Sequence, residues 1–177
     1  MMIRVLRFNT YLLLALAIGL GGGCKSSKPK DPNKYTKKDE ASLRLYLEVN
    51  PDGSESNGPI TVGRQSPFEL NVQKIPFLTE FQIEKAAVVE VLGGFSISVQ
   101  YDKQGSMLLE QYTTGSKGKH MAISAEFGQL RWIAAPVITQ RLGDGLLVFT
   151  PDTSREEAVR IVSGLNRVAE LVRKGRK

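Results

Sequence analysis

The chain has 177 residues, 41% of them hydrophobic, a formal net charge of +6 and a single cysteine, Cys24. Arg4 and Arg7 contribute +2 of that charge, residues 25–40 +3 and residues 167–177 +4, which leaves −3 on residues 41–166. A folded nucleic-acid binder carries its basic groups on a face or stripe of the domain, so the charge pattern argues against nucleic acid as a partner, and one thiol excludes an internal disulfide framework.

The first 23 residues read as a secretory signal peptide. Arg4 and Arg7 give a positive start, residues 11–20 form a short apolar run, and Gly21, Gly22 and Gly23 lead into Cys24. The run is shorter than the ~20 apolar residues of a membrane-spanning helix. Small residues running directly into a cysteine resemble the lipobox of bacterial lipoproteins, in which cleavage falls before the cysteine and its sulfur carries a diacylglycerol. The resemblance implies cleavage between Gly23 and Cys24 and a membrane anchor through acyl chains on Cys24, each buried methylene contributing ~0.8 kcal/mol. The lipobox pattern has Leu, Val or Ile three residues before the cysteine; Gly21 stands there, with Leu20 one place earlier. Lys25 follows the cysteine, without the Asp that marks inner-membrane retention in some enterobacteria. The expectation is therefore an envelope lipoprotein facing the periplasm, with the outer membrane favoured. Residues 25–40, KSSKPKDPNKYTKKDE, carry too little apolar surface to fold and read as a tether.

The folded part is expected over residues 41–172, one domain with one core, with a basic tail at 173–177. SLRLYLEV, residues 42–49, alternates: Leu43, Leu45, Leu47 and Val49 share one face, and Arg44, Tyr46 and Glu48 the other, as in a half-buried strand. Residues 50–58 are a turn-rich loop, residues 60–64 a short strand, and residues 67–73 a strand through Phe68, Leu70 and Val72. Residues 86–101 hold two β-rich runs around Gly93 and Gly94, a hairpin signal. Residues 102–115 read as a helix capped by Asp102, with Met107, Leu108 and Tyr112 at helical spacing and Gly105 weakening it. Residues 118–127 and 130–138 are two strands about Gly128 and Gln129, and residues 146–150 a short buried strand. Ser154 and Glu157 form a capping box for a last helix with an apolar stripe through Ala158, Ile161, Val162, Leu165, Val168, Ala169 and Val172. The sum is α+β, a mostly antiparallel sheet with two helices packed on one face.

Motifs for chemistry are sparse. His120 is the only histidine, so the usual zinc ligand sets cannot be completed, and no nucleophile motif accompanies it; it reads as a surface residue. The carboxylates are dispersed, and the Gly143–Asp144–Gly145 stretch is a turn without the repeated ligands of a calcium loop. No catalytic residue, metal or cofactor is expected. Trp132 reads as core or half-core packing, with peptide or sugar binding as the alternative.

The stretch from Phe95 to Asn166 resembles the head subdomain of the first periplasmic domain of SecD and SecDF, the accessory part of the Sec protein-export machinery. The matching residues are Ala122 and Ile123, then Ala135, Pro136, Val137 and Ile138, then Gly145, Phe149, Thr150, Glu157, Ala158 and Leu165. Order and spacing agree over roughly residues 78–166. The resemblance implies a SecDF head-like fold, no enzymatic activity and a role toward emerging polypeptide. The membrane helices that couple protons in that family have no counterpart in this sequence, so proton-driven work is not carried over.

These readings converge on a non-enzymatic, membrane-anchored periplasmic module that binds polypeptide, with Sec translocon components or exported chains as partners. Ala134, Ala135, Pro136, Val137 and Ile138 are expected as a strand edge open to such a partner, since Pro136 cannot donate a ladder hydrogen bond. The alternative is a structural envelope lipoprotein that binds cell wall or another envelope protein, favoured if Tyr46, Tyr101 and Trp132 were exposed on one face.

Overall fold

The computed structural model describes residues 40–64 and 66–175. Gly23, Cys24 and the tether up to residue 39 lie outside the described residues.

Strands β1 (Ser42–Leu47), β2 (Asn57–Val62), β3 (Phe68–Gln73), β4 (Ile83–Val91) and β5 (Gly94–Tyr101) precede helix α1 (Lys103–Gly115). Strands β6 (Met121–Glu126), β7 (Leu130–Ala134) and β8 (Leu146–Phe149) follow, and helix α2 (Arg155–Gly175) closes the domain. The fold is α+β with antiparallel pairing throughout, divided among three sheets: β1–β6–β7, the hairpin β2–β3, and β4–β5–β8.

Alternation in β1 sends Leu43, Leu45 and Leu47 into the main core, where full burial contributes ~1.5–3 kcal/mol for each side chain. Ile123 and Ala125 of β6, Ile97 and Val99 of β5, Leu147 and Phe149 of β8, Leu109 of α1 and Ile161 and Leu165 of α2 meet them there. The opposite face of β1–β6–β7 is not the solvated face that alternation suggested. The β2–β3 hairpin covers part of it, packing Val62, Leu70 and Val72 on Ala122 with Tyr46 and Trp132 alongside. That is why all but the last residue of β6 is buried.

Helix α1 begins as expected: Asp102 Oδ1 accepts from the Gly105 N–H at 2.8 Å. Its buried face is Gly105, Leu109 and Thr113, whereas Met107 is exposed. Gly105 is a packing requirement, because a Cβ there would stand 2.9 Å from Cβ of both Gln82 and Tyr101. The β4–β5 turn is Leu92–Gly93, with Val91 paired to Gly94, so the turn sits one residue earlier than the glycine pair suggested. Positive φ falls on Gly93, and Leu92 projects into solvent.

At α2 the capping box forms in both directions, with the Ser154 N–H donating to Glu157 Oε2 at 3.1 Å and the Glu157 N–H to Ser154 Oγ at 3.2 Å. The same carboxylate binds Arg64 and Arg131 at 3.1 Å, tying the β2–β3 loop and β7 to the start of α2. The helix continues through Gly175, so residues 173–175 are its last turn rather than a tail.

Candidate functional site

A sheet that is not closed has two edges, and each presents unpaired backbone groups unless something covers them. In β4–β5–β8 the β4 edge is covered by α2. Asn166 pairs with both backbone groups of Ala86, Arg155 pairs with Glu90, and the Arg173 guanidinium reaches the Glu84 carbonyl at 3.5 Å.

The Asn166 contact also fixes the phase of the sheet, because successive residues of an antiparallel strand turn their N–H and C=O to opposite sides. Ala86 faces outward, so its partner Val99 faces β8 and pairs with Leu147. The Tyr101 N–H, in the same phase, donates to the Gly145 carbonyl at 3.0 Å. Leu146 and Val148 then face away from β5. Asp144 Oδ1 accepts from the Leu146 N–H at 3.0 Å, while the N–H and C=O of Val148 make no hydrogen bond to the described residues. The side chains alternate in the same way. Leu147 and Phe149 are buried, and Leu146 and Val148 are exposed, Val148 to 49%.

The turn before β8 depends on Gly145. It carries φ 71°, and a Cβ there would meet Ser106 Oγ at 1.9 Å.

Facing β8 lies the stretch expected from the sequence as a strand edge. Ala134 ends β7, and residues 135–138 continue beyond it alongside residues 118–121. The Met121 N–H donates to the Pro136 carbonyl at 2.9 Å and the Ile138 N–H to the Lys119 carbonyl at 2.8 Å. These bonds bracket the pair His120 and Val137, so the Val137 N–H and C=O turn away from residues 118–121. Ala134 and Ile138 are buried, Ala135 and Pro136 half-buried, and Val137 46% exposed. Between this stretch and β8 opens a cleft of about 150 Å³ lined by Thr113, Met121, Pro136, Val137, Ile138 and Val148. The Thr113 hydroxyl holds one wall in place, accepting from the Leu142 N–H at 3.0 Å and donating to the Leu109 carbonyl at 2.7 Å.

His120 extends the apolar rim toward Phe68, whose ring centroid lies 6.0 Å from the imidazole. It is not a free surface residue. Glu48 Oε2 accepts from the His120 backbone N–H at 2.7 Å and from the ring Nδ1–H at 2.8 Å. Burial pushes the Glu48 carboxyl up, but the two His120 hydrogen bonds, with the charges of His120 and Lys119, outweigh it and hold the group below the usual carboxylate range. The pair clamps the end of β1 to the residue that leads into β6.

Tyr46 and Trp132 pack edge to face with centroids 4.9 Å apart. Tyr101 is fully buried, and burial pushes its hydroxyl pKa well above the tyrosine range. The three aromatics therefore do not form an exposed face for stacking on sugars.

The β8 edge is only faintly legible in the sequence. LLVF announces a short strand, but only the pairing order reveals that no other strand of the described residues lies beyond it. The unprotected composition of the strand, with no Lys or Pro among its four residues, is the signal that was there to be read.

No family model and no curated protein sequence matches the chain. Among solved structures it is similar to SecDF described as a membrane component that enhances protein export, with a TM-score of 0.51 and 21% identity over 72% of this chain and 62% of that one. It is also similar to SecDF in its super-membrane-facing form, with a TM-score of 0.53 and 22% identity over 71% of this chain and 18% of that one. The chain thus spans less than two thirds of the SecDF chains it matches. The fold is that of a SecD/SecDF periplasmic domain, and the likeness reaches beyond residues 78–166.

Proposed function

We propose that this chain is a non-enzymatic interaction module of a bacterial envelope that captures polypeptide in extended form along β8. It is held at the periplasmic side of a membrane by lipid on Cys24, and its role is accessory to protein export. The observation that carries this reading is the N–H and C=O of Val148, which have no hydrogen-bond partner among the described residues, set beside exposed apolar side chains and the cleft to Val137. Strand addition uses such groups: main-chain hydrogen bonds supply affinity, and alternate side chains enter flanking pockets. The SecDF-like fold supports an export-linked role, since the SecDF it matches is described as enhancing protein export. Newly exported chains and Sec translocon components are the partners this reading names.

The test is capture of a chemically unfolded secretory protein by the purified chain and by two variants. Val148→Lys places a charge on an exposed edge position, the device by which edges are commonly protected. Val137→Pro removes an N–H that makes no hydrogen bond to the described residues. Both should lose capture while keeping the circular dichroism and melting curve of the parent. Capture retained by both variants would overturn the proposal.

A further inference from the structure

Val137 and Val148 lie on two edges that line one cleft, and the two edges are in register. Just past β8, the Asp152 N–H donates to the Ile133 carbonyl of β7 at 2.6 Å. One such bond between antiparallel strands fixes which residues stand opposite one another. Counting forward from Ile133 and back from Asp152, Ala135 falls opposite Thr150 and Val137 opposite Val148. We infer that the two stretches form a zipper. Residues 135–138 close on β8 as an antiparallel ladder, joining the two three-stranded sheets into one in the order β4–β5–β8–β7–β6–β1. Polypeptide gains the β8 edge only when the zipper is open.

Three observations carry the inference. The first is phase. Leu147 and Phe149 turn their backbone groups to β5, whereas Val148, Thr150 and Asp152 turn theirs to the cleft side. On the facing stretch, Pro136 and Ile138 turn to residues 119–121, whereas Ala135 and Val137 turn to the cleft side. Each residue that the register brings to a rung therefore presents its N–H and C=O to the other stretch. Pro136 and Pro151 both fall at positions that face away from the cleft, so neither removes a donor from the ladder.

The second is that the first rung is already made and braced. The Asp152 carbonyl accepts from the Arg131 guanidinium at 2.8 Å, and Asp152 Oδ2 accepts from the Arg64 N–H at 2.7 Å.

The third is that the ladder stops there. The backbone groups of Ala135, Val137, Val148 and Thr150 on the cleft side find no hydrogen-bond partner among the described residues. At the far end, the linking residues 139–145 are fastened to α1, through the Leu142 N–H on Thr113 Oγ at 3.0 Å and the ion pair of Arg141 with Glu110. Closure satisfies the open groups within the chain and sets Val137 beside Val148 as a cross-strand pair of β-branched residues. A captured segment needs the same groups, so it competes with closure. This competition rests on capture along β8; the zipper itself does not.

The first test uses no ligand. The ¹³C,¹⁵N-labelled full-length chain in detergent micelles is read for Hα–Hα contacts between Pro136 and Phe149 and between Ile138 and Leu147. In the closed register these pairs stand ~4.5 Å apart at Cα. Both contacts are expected, with relaxation dispersion at one shared rate for the amides of Ala135, Val137, Val148 and Thr150. Absence of contacts and dispersion, or contacts without dispersion, would overturn the zipper. The second test is a disulfide between Ala135→Cys and Thr150→Cys in a Cys24→Ala chain, which has no other thiol. Closure brings this pair to a Cα spacing of ~5.5 Å, within disulfide reach. The oxidised chain should capture a cysteine-free, chemically unfolded secretory protein at least ~tenfold more weakly than the same chain after reduction, because the competent state is removed. Failure of the disulfide to form overturns the zipper, and equal capture by both forms overturns the competition. Zipper contacts in a parent chain that captures nothing would support the zipper and sink the β8 reading alone.

Discussion

The side-chain amide of Asn166 donates to the Ala86 carbonyl at 2.9 Å and accepts from the Ala86 N–H at 2.8 Å, standing where a neighbouring strand would stand. This one contact from α2 occupies an edge residue of β4, and the phase it marks turns the N–H and C=O of Val148 outward at the opposite edge, with no hydrogen-bond partner among the described residues.

Asn166→Ala should therefore do two things. Loss of two hydrogen bonds to partly buried backbone groups should cost about 1–3 kcal/mol, read as a lower midpoint in urea. The uncovered β4 edge should also raise self-association in sedimentation velocity. A variant with unchanged midpoint and unchanged sedimentation would refute the edge-capping role.

Gly105→Ala separates helix propensity from packing. In an exposed helix interior the substitution gains up to ~1 kcal/mol. Here the new methyl meets Cβ of Gln82 and Tyr101 at 2.9 Å, and overpacking of this kind costs about 1–3 kcal/mol. Net destabilisation in a thermal melt is the expected sign; stabilisation would mean that the neighbours yield.

Glu157→Ala removes the capping box and both arginine contacts at once. Caps are worth about 1 kcal/mol, and the two ion pairs, exposed at Arg64 and partly buried at Arg131, add a modest further amount, so a loss of about 1–2 kcal/mol is expected. Hydrogen exchange should rise in the loop that carries Arg64 as well as in the first turn of α2. Faster exchange confined to α2 would show that the loop is held by other means.

Glu48 gives stability a pH dependence of known sign. Its folded pKa lies below the ordinary value of 4.5. Its contribution is therefore present above pH 4.5 and is lost as pH falls through the folded pKa. Glu48→Gln should be less stable than the parent at pH 7, with the difference shrinking below pH 4.5. A difference that stays constant from pH 7 to pH 3 would exclude the carboxylate as its source.

Local pattern made part of this architecture readable in advance. Alternation through Leu43, Leu45 and Leu47 identifies β1, and Ser154 with Glu157 marks the start of α2, because both signals lie within a few residues. The two-sided burial of β6 was hidden, since Ala122 is small and says nothing of the hairpin that covers it. Pairing order was hidden for a related reason. Leu146 and Val148 look like any short buried strand, and their exposure follows from Leu147 and Phe149 taking the core face while no further strand among the described residues pairs beyond β8. The stretch 134–138 drew notice through Pro136, but its outward backbone is set by the bonds to Lys119 and Met121 rather than by the proline.

The most direct test of the account is in-cell photo-crosslinking from positions 148 and 137, with position 159, exposed on α2, as the control. Cys24 would be kept intact in one strain and replaced in a Cys24→Ala strain. Adducts to newly exported polypeptide or Sec components at 148 and 137, few at 159, and their loss in Cys24→Ala are the predicted result. No adducts at 148 and 137, or equal capture at 159, would contradict a polypeptide-binding edge on β8.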